Sequence, residues 1–202
     1  MKPKIIGIIL AAGQSSRMVI GNKLLLAFHN KSILEKTIEN ANNAEFYKII
    51  GITGHQHTEV SKVFNKFNVE LIHNISYKKG VSSSIIKGIK YLSKDIDGAM
   101  ICLGDMPKIS TETYNLLIRA FKKYYTKNMP LIIIPSYDKN NGNPIIFSNY
   151  FFLELTKLSG DKGAKGLVKK SMQYTKLIKI KNASILEDID ELESYEKLLN
   201  NE

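Results

Sequence analysis

The stretch "IIGIILAAGQSSRM" (residues 5–18) decides the fold. Its first half, "IIGIIL" (5–10), is short, rich in β-branched residues and uncharged, as a strand buried on both faces must be. Its second half turns at Ala-Ala-Gly into small polar residues. Two cations follow, Arg17 and Lys23, before an apolar run resumes. A buried strand that opens into a loop carrying two cations predicts an anion site, and in open α/β sheets ligands bind at the carboxyl ends of the strands.

Outward from this strand the chain alternates. "KSILEKTIENANNA" (31–44) reads as a helix, with Ser32 and Glu35 at capping-box spacing and Leu34, Thr37, Ile38 and Ala41 on one face. Strands are expected at 46–53, 69–74, 98–105 and 130–136, and helices at 58–67, 82–93 and 110–125, the last capped by Ser110. Beyond residue 136 the rhythm loosens. A turn-rich segment (137–144) precedes a short strand "IIF", helical stretches fall in 149–158 and 161–171, a strand in 175–180, and a closing helix begins at "ELESYEKLLNN". Strands alternating with helices predict an α/β fold with a mainly parallel sheet covered on both faces. No repeat or linker interrupts it, so one domain over residues 1–202 is expected.

Composition narrows the class. Hydrophobic residues make up 44% of 202 residues, which suits a globular core. A single cysteine, Cys102, rules out an intrachain disulfide and suits the reducing cytoplasm. No apolar run approaches the roughly 20 residues a membrane span needs. The net charge of +10 permits an anionic ligand or an acidic partner. The lysines are scattered in pairs and no aromatic-interleaved basic platform is present, so nucleic-acid binding is not expected.

The loop fits neither of two familiar phosphate binders. No glycine lies five residues before Gly21, so there is no P-loop, and Gly13 stands alone where a dinucleotide fingerprint needs three glycines. What "LAAGQSSRM…NK" resembles is the signature of the MobA-like nucleotidyltransferases, in their molybdenum cofactor cytidylyltransferase branch. "GVSSSIIKGI" (80–89), "GDMP" (104–107), "GNPIIF" (142–147), "GDKGAKGL" (160–167) and "DID" (188–190) are similar to further motifs of that family, in its order. The chain departs from the family at Val19-Ile20-Gly21, with one residue more before Lys23. The resemblance implies a single-domain, Rossmann-like three-layer sandwich of the nucleotide-diphospho-sugar transferase type. It also implies Mg²⁺-dependent transfer of CMP from CTP to the terminal phosphate of molybdopterin or the molybdenum cofactor, with pyrophosphate leaving. The protein would be a monomer, with an acidic molybdoenzyme as a downstream partner. Transfer from GTP, another phosphorylated acceptor, and a non-catalytic cofactor-binding role are the alternatives.

Such a transfer needs charge neutralisation and in-line positioning more than covalent help. The first motif supplies nucleotide-binding candidates: Leu10, Ala11, Ala12, Gly13, Ser15, Ser16, Arg17 and Lys23. Gly13 lets the backbone approach phosphate closely, the serines offer hydroxyls, Arg17 can fork two oxygens and Lys23 is a point charge. Ser82, Ser83 and Ser84 open a helix and Gly104 precedes the strand-end carboxylate, so both are placed near the nucleotide. Arg17, Lys23 and Asp105 are the catalytic candidates. The metal candidates are Asp105, at the end of a strand, and one of the acidic pair at 188–190: in an extended segment Asp188 and Asp190 share a face and Ile189 points to the core, and the resemblance to the family motif favours Asp190 over Asp188. Asn143 and Pro144 resemble the acceptor-side loop. Ala12, where GTP-using relatives have glycine, favours the smaller base. His55, His57 and His73 lack the further ligands a zinc site needs and read as loop or surface histidines. Cys102 reads as a small core residue.

Overall fold

The computed structural model describes residues 2–16, 18, 21–189, 191–193 and 195–196. The strands are β1 (Ile5–Ala11), β2 (Ala27–Phe28), β3 (Lys31–Ser32), β4 (Lys48–Thr53), β5 (Glu70–His73), β6 (Gly98–Leu103), β7 (Ile132–Tyr137), β8 (Asn140–Asn141), β9 (Ile145–Ser148) and β10 (Thr175–Lys179). The helices are α1 (Ile33–Asn42), α2 (His57–Phe64), α3 (Val81–Tyr91), α4 (Thr111–Tyr124), α5 (Phe152–Leu155) and α6 (Lys165–Lys170). An eight-stranded sheet runs in the order β10-β7-β9-β6-β1-β4-β5, with β8 on β7; β2 and β3 form a separate small hairpin.

The strand at 5–10 sits near the middle of this sheet, parallel to β4 on one side and β6 on the other. Its alternation sorts two cores. Ile5, Ile9 and Ala11 face the side packed with α1, α2 and α4. Ile6, Ile8 and Leu10 face the side packed with α3 and α5. The three-layer α/β architecture with a mostly parallel sheet is therefore as expected. The break in rhythm after residue 136 has a cause in the sheet: β9 returns antiparallel between β6 and β7, and a tight return needs no crossover helix.

Helix starts agree with capping chemistry at two places. Ser32 Oγ accepts from the Glu35 N–H at 3.2 Å and Ser110 Oγ from the Thr113 N–H at 3.2 Å. The reciprocal half of the capping box is not seen; the Glu35 carboxylate instead pairs with Lys66 at 2.7 Å. The serine run differs from expectation. α3 begins at Val81, and Gly80, at φ +94°, is its N-cap with no side-chain hydrogen bond. The stretch 149–158 forms a 3-10 turn and the short α5 rather than one long helix. Most of the expected C-terminal helix lies outside the described residues. No helix among the described residues is long and apolar enough to cross a membrane.

Candidate active site

A cavity of about 640 Å³ opens over the carboxyl ends of β1 and β6. One wall is the loop after β1. Leu10, Ala12, Gly13, Ser15 and Ser16 line it, and Lys23 stands across from them on the following 3-10 turn. The loop is held by its own short-range bonds. Ser15, at φ +52°, accepts the Lys23 N–H on its Oγ at 3.1 Å and donates that hydroxyl to Asn22 Oδ1 at 3.4 Å. Asn22 Oδ1 also accepts from the Leu24 N–H at 3.1 Å, capping the turn that carries Lys23. The Ser15 hydroxyl is thus a clasp within the loop, which is a different task from the phosphate donor read from the sequence.

Lys23 Nζ forms an ion pair with Asp105 Oδ2, both side chains being largely buried at 13% and 12% exposure. Asp105 follows β6, and the adjacent Gly104 donates its N–H to the Leu10 carbonyl at 3.0 Å, locking the ends of β1 and β6 together. A Cβ at residue 104 would lie 2.9 Å from that carbonyl oxygen. Gly104 therefore acts through backbone packing and does not line the cavity. The Asp105 carbonyl in turn accepts the Ile189 N–H at 3.3 Å. That bond brings the acidic tail segment to the site. Ile189 is buried with Phe28 and Ile33, and Asp188 lines the cavity. The inward Ile189 and the cavity-facing neighbour agree with the extended reading of this segment. Asp188, the less favoured of the two in the sequence, is at the cavity. Asp190 and Arg17 lie outside the described residues.

Among the described residues no group of three or more His, Cys, Asp or Glu side chains gathers to hold a metal. The pair Asp105 and Asp188 nonetheless fits a hard divalent cation. Such ions take one or two carboxylates and complete their shell with water and substrate phosphate.

The remaining predicted positions divide. Ser84 lines the cavity, while Ser82 is buried elsewhere, 1% exposed, with its hydroxyl unpartnered. Ser83 donates to the Gly80 carbonyl at 2.8 Å. Asn74, a residue the sequence did not single out, orients the run: its Nδ2 donates to Ser83 Oγ at 2.9 Å and Ser84 Oγ at 3.0 Å. Ala11 points into the core on the opposite face and Pro144 is off the cavity wall; Asn143 lines it. The Asn143–Pro144 peptide bond is cis. Asn143 is placed by its N–H, which donates to the Ile185 carbonyl at 2.9 Å.

Sequence reasoning missed the far wall. Tyr77, Lys78, Gly80 and Val81 meet Asp161, Lys162 and Lys165 there, above an apolar floor that includes Ile101, Leu103 and Phe147. The quoted motif "GDKGAKGL" held the signal, since three glycines flanking two lysines describe a tight cationic turn.

Two bland readings stand. Cys102 is buried, and burial raises its thiol pKa, away from any nucleophilic role. The histidines build no described metal cluster. Even so, His57 and His73 are stacked, with ring centroids 4.0 Å apart and planes 8° apart, and His57 Nδ1 is 2.7 Å from Thr53 Oγ1. Burial, followed by the neighbouring His57 ring, lowers the His73 pKa.

Known proteins resemble this chain over nearly its whole length. The chain is 26% identical to the purine catabolism protein PucB of Bacillus subtilis, over 96% of this chain and 95% of that one. It is 22% identical to the nicotine blue oxidoreductase of Paenarthrobacter nicotinovorans, over 98% and 97%. It is 24% identical to a probable molybdenum cofactor guanylyltransferase of Methanosarcina mazei, over 93% and 83%. Among solved structures, Rv0371c of Mycobacterium tuberculosis in complex with manganese superposes with a TM-score of 0.84 at 24% identity, over 98% of this chain and 100% of that one, which speaks to the fold. The MobA-like NTP transferase domain matches residues 7–176, from within β1 to the start of β10. The chain belongs to the MobA-like NTP transferase domain family and is a nucleotidyltransferase.

Proposed function

We propose that this nucleotidyltransferase moves CMP from CTP to the terminal phosphate of molybdopterin or the molybdenum cofactor, releasing pyrophosphate, with Mg²⁺ as its metal. The observation that carries the nucleotidyl-transfer part is the largely buried Lys23–Asp105 ion pair facing the Gly13–Ser16 loop across one cavity. A protein that only carried a cofactor would have no use for a cation and a metal-capable carboxylate aimed at a triphosphate.

The residues divide the work. The backbone at Gly13, with no side-chain atom in the way, cradles the β- and γ-phosphates. Arg17, from the same loop, adds a bidentate cation. Lys23 neutralises charge growing on the α-phosphate, and Ser15 and Asn22 hold it in place. Asp105 and Asp188 would hold Mg²⁺, with Asp190 next along the chain; when bound, the ion offsets triphosphate charge. The acceptor phosphate oxygen attacks the α-phosphorus, a new P–O–P link forms, the α–β bond breaks and pyrophosphate departs.

The choice of base rests on Ala12. Ala12 lines the cavity and its methyl group packs beside Gly54 and Tyr77; a Cβ at residue 54 would sit 2.7 Å from both the Ala12 and Tyr77 β-carbons. A purine is larger than a pyrimidine, and on this reading the Ala12 methyl group limits the size of the base. The molybdenum cofactor as acceptor draws on the relatives named guanylyltransferases and on the sequence motifs, and those names also keep GTP as the competing donor. The test is pyrophosphate release from each of the four nucleoside triphosphates, with and without molybdopterin. Release that needs molybdopterin and is fastest with CTP supports the reading. Fastest release with GTP removes the cytidylyl part, and release indifferent to molybdopterin removes the acceptor.

A further inference from the structure

The far wall of the cavity carries a charge pattern to which the proposed function assigns no role. Lys78, Lys162 and Lys165 all line it, and none of the three makes an ion pair among the described residues. Lys23, on the opposite wall, is already paired with Asp105. The lysine wall is assembled from two distant segments that dock through backbone. The Ser82 N–H donates to the Gly160 carbonyl at 3.2 Å. A Cβ at Gly80 would lie 2.6 Å from the Gly160 carbonyl carbon and would strike Asp161 Oδ1. Gly163 packs against Val81, and the Lys165 N–H closes a turn on the Lys162 carbonyl at 3.3 Å. Asp161, the one carboxylate on this wall among the described residues, is pressed against Gly80 and forms no ion pair with the lysines. The turn is thus docked at three points before any ligand arrives, which spares a ligand the entropy of ordering it.

In-line displacement puts the attacking oxygen and the leaving pyrophosphate on opposite sides of the α-phosphorus. With the leaving group held by the Gly13–Ser16 loop, the nucleophile comes from another side of the cavity, and the far wall is the side that carries unpaired cations. Three unpaired cations are what a dianionic nucleophile would need there, and a neutral hydroxyl would not. We propose that Lys78, Lys162 and Lys165 form the acceptor's anion subsite, so that the acceptor is a phosphomonoester gripped by its phosphate and not by its carbon skeleton. This inference rests on the nucleotidyl-transfer reading above and is independent of which phosphomonoester is used.

The probe is inorganic phosphate, titrated calorimetrically onto the full chain saturated with Mg²⁺ and the non-hydrolysable CTP analogue that has a methylene between its α- and β-phosphorus atoms. The parent should bind phosphate in the millimolar range. The double variant Lys162→Gln, Lys165→Gln should bind it about tenfold more weakly or not at all, with the analogue's Kd within about twofold of the parent's. Both lysines are exposed, so the fold should survive, and a circular dichroism melt checks it. No phosphate binding to the parent, equal binding to both proteins, or an equal loss of analogue binding overturns the subsite. Molybdopterin is titrated as a separate arm. If the parent binds phosphate at this wall but not molybdopterin, the subsite stands and the molybdopterin reading fails.

Discussion

The two walls of the cavity are built in opposite ways. The wall at residues 10–23 comes from one continuous stretch, tied to distant segments at Leu10 and Ala12 but held from Ser15 onward by hydrogen bonds between residues a few positions apart: Ser15 with Asn22, Asn22 with Leu24. The wall at 77–81 and 160–165 joins segments about eighty residues apart in sequence, which meet through close backbone contact at Gly80 and Gly160 and through apolar packing of Val81 and Ile85. The first wall should therefore tolerate disturbance elsewhere in the molecule. The second should shift whenever its docking surface does. The consequence is a division between donor and acceptor that kinetics can separate.

The largest expected effect tests the first wall. Asp105→Asn should lower kcat by about a thousandfold, because it removes both a metal-capable carboxylate and the partner of Lys23. Thermal unfolding should move little, since the site lies at a strand end. Turnover within tenfold of the parent would take Asp105 out of the chemistry. Lys23→Ala should follow at about a hundredfold, falling on kcat more than on the CTP KM if the charge acts chiefly as the α-phosphorus reacts. A raised KM with an unchanged kcat would make Lys23 a binding charge only.

Gly80→Ala tests the second wall. The substitution puts a side chain at φ +94° and against the 160–161 backbone, at a cost of about 1–3 kcal/mol in strain. The acceptor KM should rise more than the CTP KM, alongside a lower melting temperature. If both KM values rise together, the two walls are not separate devices and the comparison fails. Ala12→Gly sharpens the comparison within the first wall: it should narrow the CTP-over-GTP ratio of kcat/KM without inverting it, because a methyl-scale change is worth only about 1–3 kcal/mol. An unchanged ratio would move base selection to other contacts.

The smallest effect concerns the stacked His57–His73 pair near the base of the first wall. Its connection to that wall runs through the His55 N–H, which donates to the Ala12 carbonyl at 3.2 Å. His73 has a pKa below its ordinary value of 6.5 in the folded chain, chiefly from burial and then from the His57 ring. The unfolded chain therefore takes up the proton first, and stability rises with pH across the window just below 6.5. Denaturant midpoints measured on either side of that window should differ, and His73→Gln should shrink the difference. If the slope is the same in the variant, the pair contributes nothing to it.

How much of this was readable before the structure depended on the range of the interactions involved. The β1 strand, the split of its alternating residues between two cores, the caps Ser32 and Ser110, and the loop carrying Lys23 all follow from contacts a few residues apart, and local chemistry determines them. So does the pattern at 188–190, where an inward Ile189 turns its acidic neighbour outward. The serine run misled because which hydroxyl faces the cavity is decided by Asn74 and by a helix start at Gly80, neither of which periodicity weighs. The antiparallel return of β9, the approach of Asp188 to the cavity, and the docking of the lysine wall belonged to the tertiary structure. Each needs two distant segments to meet: the motif at 160–167 shows a cationic turn, but which segment it docks on depends on the close approach at Gly80, and the tail is placed by a backbone bond from Ile189, which periodicity does not reveal.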